Sequence, residues 1–90
     1  MSDLKELSTL PNQRSKIEWT SYLATAYVEG FCEGEHATLE QSMEAWAYLI
    51  KTKVCYSLQG WFGRNATRLI ERGLISEDGT IDWDLMEELK

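Results

Sequence analysis

A chain of 90 residues with a formal net charge of −6 has room for one domain, and its charge excludes some functions. Phosphate neutralisation needs clustered Lys and Arg, so the acidic balance disfavours a general nucleic-acid coat. Hydrophobic residues make up 43% of the chain and charged residues 27%, which is typical of globular and not of disordered proteins. Neither a membrane span nor a secretory signal is visible, so we expect one cytoplasmic domain over residues 1–90.

The polar residues form no recognisable catalytic or metal-binding motif. Cys32, Glu33 and the single histidine, His36, are too few for a four-ligand zinc site, even together with Cys55. The two cysteines form no CxxC pair and are expected to be free thiols. No nucleophile elbow, Walker A segment or dinucleotide fingerprint occurs. We therefore expect that the protein is not an enzyme and that it holds neither a cofactor nor a metal.

Two helices are predicted in the first third of the chain. The first is short, covers residues 2–10 with its leucines on one side, and ends at Pro11. The second runs from Ser15, its predicted N-cap, to about Cys32. It has a broad apolar face and also a narrower strip on another side, so it is either central in the domain or contacts a second chain. Small residues in the strip would let another helix approach, and we therefore expect a homodimer through Trp19, Tyr22, Ala26 and Gly30.

A third helix is predicted after Thr38, which forms a capping-box pattern with Gln41. Its apolar residues recur at the spacing of one helix face, which is a strong amphipathic signal. That face is expected to consist of Leu39, Met43, Trp46 and Ile50, and the residues expected to face outward are Glu40, Glu44, Tyr48 and Lys51.

The remaining residues predict one more long helix and a short last one. The long helix runs from Leu58 to Arg72, with Gly73 as its C′ residue. Glu77-Asp78-Gly79 then reads as a small hairpin or tight turn, and Asp82 caps the last helix, with Ile81 and Met86 as a hydrophobic staple. The fold class is therefore all-α: a compact bundle of four to five helices with a minor C-terminal β-hairpin or turn. The core face of the long helix, expected to pack on Trp46 and Ile50, is Leu58, Phe62, Ala66 and Leu69.

Three of the four arginines lie on that long helix. Arg64, Arg68 and Arg72 fall within about 80° of one another on a helical wheel, with Trp61 among them. Glycine inside a helix costs up to about 1 kcal/mol relative to alanine. Two glycines three positions apart therefore need a reason: either the helix begins after the first, or another group approaches their backbone closely. These glycines are Gly60 and Gly63.

Three interpretations of the arginines are open. They could pair with the acidic C-terminal segment through Asp82, Asp84 or Glu87. They could instead form a contact surface for an acidic protein or for a second copy of the chain, because Trp and Arg are enriched at interface hot spots. The third interpretation is a DNA-binding regulator, since helix, short break and arginine-bearing helix is the order of a helix-turn-helix. The acidic Ser-Glu-Asp-Gly turn would repel phosphate there.

Residues 38–81 contain an AW-x-x-L-I segment followed by LQGWFGR-x-A-x-x-LIE-x-G. In this segment the chain resembles a group of small uncharacterised phage-encoded proteins. The resemblance implies no catalytic or binding residue. It does imply a phage-borne accessory protein in the host cytoplasm that binds and modulates a host macromolecule by protein–protein interaction, in some cases to inhibit a defence system.

Overall fold

The computed structural model describes residues 10–89, in which four α-helices are joined by short connections. The helices are α1 (Ser21–Glu29), α2 (Leu39–Lys51), α3 (Gly60–Glu71) and α4 (Trp83–Leu89), and two 3₁₀ turns span Cys32–Gly34 and Val54–Ser57. The predicted all-α fold is thus confirmed for this part of the chain. The short helix predicted over residues 2–10 falls almost wholly outside it. None of the four helices is long and apolar enough to cross a membrane.

Helix α2 is the centre of the domain, because buried side chains leave it in every direction. Two sequence predictions fail here: Leu39 is 54% exposed, and Glu44, expected to face outward, is only 1% exposed. The amphipathic pattern assumes one solvent face, and a helix covered on all sides has none. Leu39 escapes burial as the first residue of the helix. The buried residues are Met43, Glu44, Ala45, Ala47, Leu49 and Ile50.

Helix α1 is shorter than predicted and does not begin at Ser15. The Thr20 hydroxyl caps it by accepting a hydrogen bond from the Leu23 N–H at 3.1 Å. The helix ends at Gly30, whose φ of 78° is left-handed. The Ser15 hydroxyl does accept the Ile17 N–H at 3.2 Å, but its backbone N–H and its hydroxyl also donate to Glu44, and residues 15–20 are not helical.

The segment before α1, residues 10–19, crosses the domain without helical structure, and we call it the strap. Its Leu10 is buried. The Asn12 side chain holds it to the C-terminal region: Nδ2 donates to the Ile81 carbonyl at 2.6 Å and Oδ1 accepts from the Ile81 N–H at 3.1 Å. The Trp83 indole also donates to the Asn12 carbonyl oxygen, at 2.9 Å. These hydrogen bonds fix the strap to the beginning of α4.

The Glu44 carboxylate fastens the strap to α2. Its Oε2 accepts the backbone N–H groups of Arg14 and Ser15, both at 2.9 Å. Its Oε1 accepts the Ser15 hydroxyl at 2.5 Å and the Trp19 indole N–H at 3.2 Å. A buried carboxylate is very unfavourable unless donors replace its lost water. Here donors from three strap residues satisfy both oxygens.

The helix ends follow local signals that the sequence predicted. Thr38 and Gln41 form both hydrogen bonds of the capping box. At the end of α3, the Gly73 N–H binds the Ile70 carbonyl and the Leu74 N–H binds the Leu69 carbonyl, each at 3.0 Å, which is a Schellman motif. The Asp82 carboxylate accepts the Leu85 N–H at 3.0 Å, and the staple residues Ile81 and Met86 are both buried.

The predicted C-terminal hairpin is reduced to its turn. Ile75 and Ile81 form a single antiparallel bridge, and residues 10–89 contain no strand. The chain reverses through a turn in which the Gly79 N–H binds the Ser76 carbonyl at 2.9 Å. A longer ladder has no room, because α3 ends at Glu71 and α4 begins only two residues after Ile81.

We predict that Glu44→Gln lowers the free energy of unfolding by about 3 kcal/mol, because the amide NH₂ would face strap donors that then lose their acceptor. Glu40→Gln is the matched control: Glu40 lies on the same helix and forms an exposed ion pair with Arg14 of the strap. Its cost should stay below about 1 kcal/mol. Urea unfolding of both variants measures the difference. Equal costs would contradict the role given to Glu44.

Two glycines with positive φ allow a second prediction. Gly79 (φ 89°) lies against α2, where an added Cβ would be 3.0 Å from Lys51 Cβ and 3.3 Å from the Ala47 carbonyl oxygen. Gly73 (φ 78°) has no neighbour within 4 Å of such a Cβ. We expect Gly73→Ala to cost about 1 kcal/mol for the left-handed backbone alone. Gly79→Ala should cost about 2 kcal/mol more through overpacking. Thermal unfolding tests this, and similar melting temperatures would refute it.

Candidate interaction surface

Arg64 and Arg68 of α3 and Arg72, its C-cap, are exposed along one side of the helix. We call Arg64, Arg68 and Arg72 the arginine edge. None of them forms an ion pair with a residue in the range 10–89. Their guanidinium groups therefore remain solvated, each with five N–H donors available.

The fourth arginine, Arg14 of the strap, is the one that pairs with acidic residues. Its guanidinium lies 3.4 Å from Glu40 of α2 and 3.4 Å from Glu87 of α4. It also lies over the Trp83 ring, 4.4 Å from the centroid. The interpretation in which the α3 arginines bind the acidic C-terminal segment is therefore wrong for Glu87. Asp82 is engaged as the cap of α4.

Aromatic rings hold α3 against α2. Trp61 is half-buried and stacks on Phe62, with centroids 4.1 Å apart and planes at 28°. It also meets Trp46 of α2 edge-on, at 6.1 Å and 78°. As predicted, Phe62 and Ala66 are buried, whereas Leu58 and Leu69 are half-buried against the same core. Helix α3 is therefore held firmly on one side and open on the other.

A groove runs along the open side of α3, on the flank of the arginine edge that holds the glycines. Gly60 is the first residue of α3 and Gly63 lies one turn further on. The half-exposed Tyr56 ring comes beside Gly63, where an added Cβ would lie 3.7 Å from Tyr56 Cδ1. We call this depression, of about 470 Å³, the α3 groove. It is lined by Tyr56, Gly60, Gly63, Arg64, Thr67, Arg68 and Glu71.

Arg68 also lines a second, smaller depression on the opposite flank of the arginine edge. This one measures about 220 Å³. Arg68 thus forms the ridge between the two and is the most central of the three arginines. The lining residues are Trp46, Asn65, Arg68, Leu69 and Arg72.

The charge of the α3 groove changes along its length. The Arg64 guanidinium lies over Gly60, with a terminal nitrogen 3.0 Å from where a Cβ would be. Glu71 lines the other end. Burial raises the pKa of Tyr56, and the nearby Cys55 and Glu77 raise it further, so the phenol stays protonated at neutral pH. The groove therefore offers a cationic end, a neutral aromatic wall and an acidic end.

The residues predicted to mediate self-association do not share an exposed face. Trp19 is 2% exposed, lies edge-on to Tyr27 at 4.9 Å and donates to Glu44. It precedes α1 and points inward, so the helical pattern that placed it on a strip does not apply. Ala26 is buried, and its carbonyl oxygen lies where a side chain on Gly34 would be.

Of that strip only Tyr22, at 57%, and Gly30 are exposed. The homodimer remains a prediction, and on α1 it would have to use Tyr22.

The cysteines and carboxylates do not converge. Within the described part of the chain, no three His, Cys, Asp or Glu residues are close enough to hold a metal ion. Cys32 is exposed and Cys55 is buried, and both are free thiols, as expected. Burial raises the pKa of Cys55, which keeps the thiol protonated and unreactive.

We predict that the arginines differ in their effect on stability. Arg68→Ala should change the free energy of unfolding by less than about 0.5 kcal/mol, because the side chain is exposed and unpaired with residues 10–89. Arg14→Ala should cost about 1–2 kcal/mol through its two ion pairs and the Trp83 contact. Urea unfolding at low and high salt measures both. A larger loss for Arg68→Ala would show that the arginine edge is structural.

Comparison with known proteins gives one family and no individual relative. The family model that matches is described as a domain of unknown function (DUF7417), and it covers residues 30–90. No curated protein and no solved structure matches the chain. The matched range begins at the C-cap of α1 and contains α2, α3 and α4, including the arginine edge and the α3 groove. The match covers more than half of the chain's residues, so the chain belongs to the DUF7417 family.

Proposed function

We propose that this chain is a non-enzymatic interaction protein that binds an acidic protein through the arginine edge of α3. One observation carries the proposal: three exposed guanidinium groups in a chain of net charge −6 have no ion pair with residues 10–89. Among residues 10–89, Arg14 is the arginine that pairs with carboxylates, those of Glu40 and Glu87. The arginine edge therefore keeps its full charge for an external ligand.

The energetics favour such a use over a purely structural one. An exposed ion pair contributes about 0–1 kcal/mol, and salt screens it. An arginine desolvated at the centre of an interface can contribute about 2 kcal/mol or more. Its planar group also binds a carboxylate through two parallel hydrogen bonds, which gives orientation as well as affinity.

The biological setting of the proposal comes from the resemblance of residues 38–81 to small phage-encoded proteins. We take the chain to be a phage accessory protein, acting in the cytoplasm of the host cell. Its partner would then be a host protein, and the function of binding would be to modulate that protein, in particular to inhibit a host defence system.

A DNA-binding regulator is the second candidate, and the element order favours it. Helix α2, a 3₁₀ turn over Val54–Ser57 and the arginine-bearing α3 follow one another as in a helix-turn-helix. However, Glu71 lies in the groove beside the arginine edge, and the turn after α3 carries Glu77 and Asp78. These carboxylates would face phosphate. We expect no shift of duplex DNA in a gel at moderate salt, and a shift lost on Arg64→Ala would favour this candidate.

The test is capture of the partner from host lysate with tagged protein, followed by affinity measurement on the purified pair. We expect Arg68→Ala to weaken binding about 30-fold, the equivalent of about 2 kcal/mol. Lys16→Ala is the matched control, because it removes one exposed positive charge from the strap and should change affinity less than about 2-fold. Unchanged binding by Arg68→Ala, or turnover of a substrate without a partner, would refute the proposal.

A further inference from the structure

The α3 groove restricts what the arginine edge can bind. Gly63 and Thr67 line its floor, the Arg64 guanidinium lies over Gly60, and the half-exposed ring of Tyr56 forms a wall. Arg64 and Arg68 stand along the opposite rim. A ligand in this position meets an apolar slot and two cations at the same time. A ligand that only neutralised the charge of the two arginines would not need the apolar surface.

We propose that the groove binds an acidic amphipathic helix of the partner protein. One apolar side chain of that helix packs on the exposed side of the Tyr56 ring next to Gly63, and carboxylates on either side of it bind Arg64 and Arg68. This inference rests on the proposed function and specifies the chemistry of the partner.

The spacing of the groups favours a helix over an extended peptide. Arg64 and Arg68 are one helical turn apart, with Cβ atoms about 6 Å from each other. Carboxylates three or four positions apart on a partner helix repeat that distance, whereas neighbours in a strand alternate between two faces. The absence of a side chain at Gly63 lets a second helix come close to α3 at that point. Recognition of this kind is the helix-in-groove mode.

The surrounding charge favours a protein over a nucleic acid. Glu71 lines the groove itself, and Glu77 is near enough to Tyr56 to act on its phenol. A phosphate chain that reached Arg64 and Arg68 would pass close to these carboxylates. An acidic helix can avoid them by carrying a neutral or basic residue at that end. Its apolar side chain would also pack on the Tyr56 ring, an apolar contact that a phosphate cannot make.

The experiment uses the full chain, labelled with ¹⁵N, and a defined probe. The probe is a capped 15-residue Ala/Lys-based helical peptide with one Phe and two Glu four positions apart, one position before the Phe and three positions after it. We expect shifts of the Gly60, Gly63 and Thr67 amides and a Kd of about 0.5 mM. Replacing both Glu by Gln, or Phe by Ser, should each weaken binding at least about 5-fold. No shift of these amides at several times that concentration would overturn the inference.

Variants of the protein separate the slot from the charge. Gly63→Leu fills the slot and leaves every arginine in place, and we expect it to weaken peptide and partner binding at least about 10-fold. Gly63→Ala, whose Cβ would lie at an ordinary 3.7 Å from the Tyr56 ring, should bind with an intermediate affinity. Arg72→Gln, outside the groove, should change peptide binding less than about 2-fold. If Gly63→Leu fails to fold, Tyr56→Ala removes the wall instead and should cause a similar loss.

The outcomes distinguish this inference from the proposed function. Partner binding lost in Arg68→Ala but retained in Gly63→Leu and in Tyr56→Ala would overturn the groove and leave the arginine edge as the contact. Partner binding retained in all of these variants would overturn both. Duplex DNA of 20 base pairs that shifts the same amides at lower concentration than the peptide would overturn the inference in favour of a nucleic acid.

Discussion

The buried carboxylate of Glu44 determines how the rest of the domain is arranged. It lies on the central helix and receives its hydrogen bonds from Arg14, Ser15 and Trp19, so it fixes the course of the strap. That course brings the Arg14 guanidinium to Glu87 and the Trp83 ring. Glu87 of the last helix is thus engaged by the strap.

How well the sequence predicted the fold depended on the distance between interacting residues. Thr38 and Gln41, like Asp82 and Leu85, are three residues apart, so the sequence alone shows both members of each cap. The predicted start of α1 at Ser15 is wrong for the opposite reason. The Ser15 hydroxyl donates to Glu44, which is 29 positions away, and no local pattern reveals that contact. Glu44 was misplaced for the same reason, because an acidic residue in an amphipathic pattern ordinarily marks the solvent side.

The same distinction applies to the candidate site. The arginine edge was predictable, because helical spacing alone places three arginines on one side of α3. The sequence alone does not show whether these arginines pair within the domain. The structure shows that Arg14 of the strap is the arginine that pairs with Glu40 and Glu87. Tyr56 was missed altogether: it precedes α3, and only the fold brings its ring beside Gly63. A helical glycine facing a preceding aromatic residue is the signal that could have identified it.

The pairing of Asn12 with Ile81 has a consequence for the order in which the fold can form during translation. These residues are 69 positions apart, and closing a loop of that length costs about 4 kcal/mol of chain entropy. The ribosome makes the strap before the four described helices, yet Ile81, Trp83 and Glu87 follow only after α3 has been synthesised. The strap can therefore bind Glu44 early, but the Asn12 side chain stays hydrated until residues 81–83 are released.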